Sequence, residues 1–229
     1  MRIPGRQETR SGIATLVMAC ACVMAAAAEV TPDVLVRTTT EEVLTIVRSD
    51  KDIRAGNTAK VVQLIEEKVA PHFDFVRMTR LAVGRPWREA TAAQRETLVN
   101  EFRTLLVRSY SAAFTGYKDI TVEYRPYRGS SDDSDATVQT LIKLPGGAAP
   151  VSVDYDMGKT PAGWKVYDVR VAGASLIINY RNLFAQEIQQ SGIDGLIKTL
   201  IEKNSSNVAI DPKTLEPKTG AKASGETKK

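Results

Sequence analysis

Few residues in this chain have the type and spacing that chemistry requires. His72 is the single histidine of 229 residues, and it stands beside Pro71 at the end of a helical stretch. The two cysteines, Cys20 and Cys22, lie in an apolar N-terminal run. A structural zinc site draws on about four Cys or His ligands, so no transition-metal cluster and no cofactor is expected. The sequence contains no G-x-S-x-G, no P-loop and no G-x-G-x-x-G. Carboxylates are plentiful, and one is conspicuous. Asp168 sits in the apolar run Trp164-Lys165-Val166-Tyr167-Asp168-Val169. In a cone-shaped α+β fold, such an Asp can act with a Tyr as an acid–base pair on a small apolar substrate. The alternatives are an Asp on the solvated face of the strand, or one paired with a nearby Arg.

The N-terminus carries an address. Arg2, Arg6 and Arg10 form a positive segment, Ile13 to Met24 is apolar, and Ala26-Ala27-Ala28 offers small residues for cleavage before Glu29. The apolar stretch is too short and wrongly flanked for a membrane span. Residues 1–28 are therefore expected to be a signal peptide. Its removal takes both cysteines and lowers the formal net charge from +4 to +2. A mature chain so nearly balanced argues against tracking nucleic-acid phosphates, and without cysteine it has no disulfide or thiol chemistry. Val17-Met18-Ala19-Cys20 faintly resembles a lipoprotein processing site, although Met18 fits that pattern poorly. A soluble exported chain is the expectation, and an anchor at Cys20 is the alternative.

Any site must be positioned by the elements that follow. Pro32 opens a helix that runs to about Arg48, and Asn57 caps a second that Pro71 ends. A short third helix covers Phe73 to Val83. The longest runs from Thr91 to Phe114. Thr91 with Gln94 forms a capping box there, and Leu98, Phe102, Leu105, Leu106 and Tyr110 recur at helical spacing. After Gly116 the period changes to two. Ile120–Tyr124, Thr137–Leu144, Val151–Met157 and Trp164–Val171 read as about four strands with hairpin-scale connections, hence an antiparallel sheet. Helices return at Ser175, break at Gly192, restart near Asp194 and run through Ile201. Residues 205–229 are rich in Lys, Pro, Gly, Ser and Thr, and are expected to be a disordered tail. Helices, then strands, then helices indicate an α+β fold in a single domain, residues 29–204.

The strand faces Ile120/Val122/Tyr124, Val138/Ile142/Leu144 and Val151/Val153/Tyr155 all need cover, as does the wide apolar face of the long helix. Periodicity alone does not distinguish a filled core from a hollow one.

Three blocks, in order, resemble one family over most of the mature chain. The first runs from Pro71-His72-Phe73-Asp74-Phe75 through Leu81-Ala82-Val83-Gly84-Arg85-Pro86-Trp87-Arg88. The second is Ala90-Thr91-Ala92-Ala93-Gln94-Arg95 with Phe102 and Tyr110. The third is Trp164-Lys165-Val166-Tyr167-Asp168-Val169 with Ser175-Leu176, Tyr180-Arg181, Phe184 and Gly192-Ile193-Asp194-Gly195-Leu196. The chain resembles the MlaC, or toluene-tolerance auxiliary, family of periplasmic phospholipid-binding proteins. The resemblance implies an NTF2-like fold with a curved antiparallel sheet packed against helices around an apolar pocket. It also implies a non-enzymatic shuttle in the periplasm that helps maintain outer-membrane lipid asymmetry. The implied partners are phospholipid, an outer-membrane lipoprotein–porin complex, and an inner-membrane ABC transporter with an MCE-domain subunit. By position, Tyr110, Val151 and Ala174 match the family's pocket-lining sites. Facing direction adds Phe102, Leu106, Val153, Tyr155 and Val169. The weighed alternative is an NTF2-like enzyme acting on a small apolar substrate.

Overall fold

The structure, a computed structural model, describes residues 30–116, 119–130 and 132–206, and for 112–116 the backbone alone. The expected signal peptide and nearly all of the expected tail lie outside the described residues. Helix α1 (Pro32–Ser49) begins on a proline, whose missing N–H is no loss in a first turn. A short α2 (Lys51–Arg54) follows, and then α3 (Thr58–Leu64). The Asp50 carboxylate accepts from the amides of Asp52 and Ile53, and the Asn57 side chain from that of Lys60, so both restarts are capped. Short of Pro71, the helix does not stay α-helical. It loosens into a π turn at Ile65–Val69 and a 3-10 turn at Ala70–His72, as befits a helix running into a residue that cannot donate to it.

Helix α4 (Phe75–Val83) starts later than its apolar spacing suggests. Asp74 takes the cap by accepting from the Arg77 amide at 2.8 Å. Phe73 instead bridges in parallel to Val166, and the Asp74 amide donates to the Val166 carbonyl at 2.8 Å. The long helix α5 (Ala92–Gly116) has the expected capping box. Thr91 Oγ1 accepts from the Gln94 amide (3.2 Å), and Gln94 Oε1 accepts from the Thr91 amide (2.9 Å).

The sheet has five strands rather than about four, in the order β1 (Thr121–Tyr124), β2 (Asp135–Lys143), β3 (Val151–Thr160), β4 (Gly163–Val171), β5 (Ala174–Ser175), every pair antiparallel. Two residues are too few for an alternation to register, which is why β5 escapes a reading by period. A bulge interrupts β3–β4. Asp156 pairs with Asp168 but Met157 with Val166, leaving Tyr167 as the extra residue. That bulge lets Val166 and Val169 share the inner face although three positions separate them.

Helix α6 (Leu176–Ser205) is kinked at Gly192, whose φ of 71° only glycine adopts freely. Its end lies against α5. Asn204 Nδ2 donates to the Glu101 carbonyl at 2.9 Å, and Arg108 donates to the Ser206 carbonyl. The folded domain thus reaches Ser206, slightly beyond the expected boundary at 204. No described helix is long and apolar enough to cross a membrane.

Most domains pack one contiguous core. Here most of the described buried hydrophobic residues fall into three groups. One joins α4, α5 and α6 around Phe102, Tyr180 and Phe184. A second joins α1, α2, α3 and Val107 of α5. The third lies between α1 and the inner sheet face, with Val36, Val138, Met157, Trp164 and Val166.

Candidate functional site

The strand register gathers one end of the sheet. Thr121 lies opposite Lys143, Ile142 opposite Val151, Val153 opposite Val171, and Val171 opposite Ala174. The last turns of α5 lead directly into β1 at this end. Arg48, at the end of α1, donates from Nη2 to the Ile120 carbonyl at 2.7 Å. Two connections close this end, Leu144 to Pro150 and Ala172-Gly173, and neither contains a charged residue. Val171, at 45% exposure, and Ile178, at 59%, stand out beside them.

The residues picked from the sequence separate on this frame. Val151, Val153 and Tyr155 follow one another down the inner face of β3, and Val169 lies opposite Tyr155. Val151, Tyr155 and Val169 are half-buried. Val153 is only 7% exposed, yet it belongs to none of the three packed groups. Tyr110 is half-buried against the α4–α5–α6 group, of which Leu106 is a buried member. Ala174 is exposed and pairs with Val171 in β5, so it lies within a strand and not beyond the last one. Phe102 departs from expectation. It has no accessible surface, because its ring meets Tyr180 and Phe184 edge-on at 4.8 and 5.1 Å between centroids. Such a ring belongs to a packed interior and offers no wall to a guest.

Tyr155 combines two properties that seldom coincide. Burial pushes its phenol up to about 12, the Thr140 hydroxyl acting weakly in the opposite sense. The residue is nevertheless partly accessible. Thr140 itself is buried and donates to the Val153 carbonyl at 2.7 Å.

Asp168 is neither solvated nor held by an arginine. It is buried, and its Oδ1 accepts from the amides of Val169 (2.8 Å) and Ile177 (3.1 Å), while Oδ2 accepts from the Ser175 hydroxyl. Ser175 Oγ in turn accepts from the Ile178 amide at 3.0 Å. The carboxylate is thus the base of a two-tier cap on α6, where the helix dipole favours its charge. Its cross-strand partner, Asp156, takes the arginine instead, together with the Thr137 hydroxyl. The acid–base reading of Asp168 therefore conflicts with the lone pairs it has already committed. His72 is depressed below its ordinary value, chiefly by burial and then by Lys165. Among the described residues no group of three His, Cys, Asp or Glu is placed to hold a metal.

A cleft of about 500 Å³ opens at the opposite end of the sheet, beside the β1–β2 connection. Arg128, Asp133, Asp135, Thr137 and Gln139 line it. Its lining is mainly polar, with the inner-face residue Ala136 at its edge, so it does not suit an apolar guest.

The family profile described as MlaC protein matches residues 37–202. The Haemophilus influenzae intermembrane phospholipid transport system binding protein MlaC is 21% identical over 187 residues, 81% of this chain and 87% of that protein. The toluene tolerance protein ttg2D of Pseudomonas putida is 25% identical over 186 residues, 81% of this chain and 85% of that protein. A Ralstonia solanacearum phospholipid-binding protein, solved in complex with a phospholipid, superposes with a TM-score of 0.71 at 38% identity. The match covers 78% of this chain and 98% of that one.

Proposed function

The chain belongs to the MlaC family, and on that footing we propose that it is a periplasmic carrier that holds a phospholipid by its acyl chains. The observation that supports this best is the run Val151, Val153, Tyr155 along β3. There Val151 and Tyr155 stay half-buried, and Val153, though buried, belongs to none of the packed groups of described residues. The bound phospholipid of the Ralstonia relative adds to it.

The physics suits such a role. Each methylene taken from water contributes about 0.8 kcal/mol. Two acyl chains therefore bind strongly with no directed polar contact, and headgroups of different kinds are tolerated. The uncharged connections at the open end of the sheet let a hydrocarbon chain pass without stripping water from a charge. On this reading the protein is no enzyme. It takes lipid from one membrane complex and delivers it to another. The two are an outer-membrane lipoprotein–porin complex and an inner-membrane ABC transporter with an MCE-domain subunit. The wall residues are Tyr110, Val151, Val153, Tyr155, Val169 and Ala174, with Leu106 behind them.

The test is exchange of a labelled phospholipid between vesicles holding each complex, with and without this protein. Transfer that depends on the protein and saturates with it is expected. Transfer at the background rate would refute the carrier reading.

A further inference from the structure

We propose that Tyr155 is the end-stop of the acyl cavity and so determines how long a chain the protein accepts, an inference that rests on the carrier reading above. Alternate residues of a strand share one face and stand about 6.7 Å apart, so the inner face of β3 serves as a depth scale. Val151 is half-buried at the end of the sheet where β2 connects to β3. Val153 is the next step, buried at 7% exposure yet outside the packed groups of described residues. Tyr155 follows, half-buried. At Met157 the scale ends, because that side chain has no accessible surface and is packed among Val36, Val138, Trp164 and Val166. Along this face Tyr155 is the first residue packed against that group, about 13 Å along the strand from Val151.

Tyr155 is also held firmly enough to stop a chain. Its backbone lies between Val138 and Val169 in the register, and its ring packs against the group around Met157. Its hydroxyl meets Thr140, whose own proton is committed to the Val153 carbonyl. Burial keeps the phenol neutral, so a chain end meets an uncharged ring. A longer chain would have to displace that ring and part the hydroxyl from Thr140, and an unpaired buried hydroxyl is costly.

The experiment offers delipidated protein an equimolar mixture of phosphatidylglycerols that differ only in acyl length, in two-carbon steps. Native mass spectrometry then reads the occupancy of each. Wild-type protein should show a cut-off in length. Tyr155→Leu should move it to longer chains by at least one step. Each methylene newly buried is worth about fourfold in affinity, so the first excluded lipid gains about an order of magnitude. Tyr155→Phe keeps the ring and should keep the wild-type cut-off. Val153→Phe places a ring one step nearer the opening and should move the cut-off to shorter chains. This variant carries the test if Tyr155→Leu does not fold. Folded, lipid-loaded variants with the wild-type length profile would overturn the end-stop while leaving the carrier reading intact. Wild-type protein that takes no lipid of any length would overturn the carrier reading itself.

Discussion

A buried carboxylate persists only where its charge is answered, and at Asp168 the answer is two amides, a hydroxyl and the N-terminus of α6. Asp168→Ala should therefore cost about 2–4 kcal/mol in urea unfolding, since it removes a charged cap and strands the Ile177 amide and the Ser175 hydroxyl. A change within experimental error would show that the cap is dispensable. Tyr155 makes a prediction in pH. An unfolded tyrosine ionises near 10.0, whereas the folded phenol holds its proton to about 12. Between those values the folded state binds the extra proton, so stability is fully present below 10.0 and falls as pH rises towards 12. Tyr155→Phe lacks this term. It should lose up to about 1.4 kcal/mol less per pH unit across that window, as measured by denaturant midpoints at neutral and at alkaline pH. An identical alkaline decline in both proteins would count against a buried phenol. Sequence singled out Asp168 correctly as unusual but not its role, because the groups that compensate it come from residues that the local strand pattern does not contain.

The elements were largely legible because most carry their signals locally. Thr91 and Gln94 announce the start of α5, and both capping bonds form. Thr91→Ala should cost about 1 kcal/mol, seen as a lowered midpoint in thermal unfolding, and an unchanged midpoint would mean that the cap adds nothing. Alternation located β1 to β4, and Gly192 marked the kink in α6. What escaped was set by partners distant in the chain. The two residues of β5 are a strand only because β4 is beside them, and Phe73 leaves the helix because Val166 offers it an edge. Phe102 has the spacing of a wall residue, but two rings of α6 close over it. The candidate wall is best tested on the elements that present it. Val151→Trp or Ala174→Trp places a ring near the open end of the sheet. In a filled core such overpacking costs roughly 1–3 kcal/mol. In a hollow one the ring enters space the lipid would occupy. Both variants should fold, by circular dichroism, and lose bound phospholipid, while Tyr110→Ala, which only removes a contact, should lose less. Trp variants that unfold, or that fold with full occupancy, would remove these positions from the wall.

At the scale of the whole molecule, the separation of the buried side chains into three groups matters most. A chain with 43% hydrophobic residues has enough apolar material for a single core. Sequence period says which faces are apolar but not whether they meet, since that depends on how far α5 and α1 stand from the sheet. Fold class and family could be read from the sequence. Whether the apolar faces enclose a hollow could not be read from the period, and the sequence points to one only through resemblance. The carrier account requires a space between the sheet and the helices that holds lipid while the protein is in the periplasm. The most direct measurement is native mass spectrometry of protein expressed with its N-terminal residues 1–28 and purified without detergent. The account predicts a mass above that of the polypeptide by one phospholipid, released as phospholipid on activation. A bare polypeptide mass, unchanged after incubation with phospholipid vesicles, would contradict it.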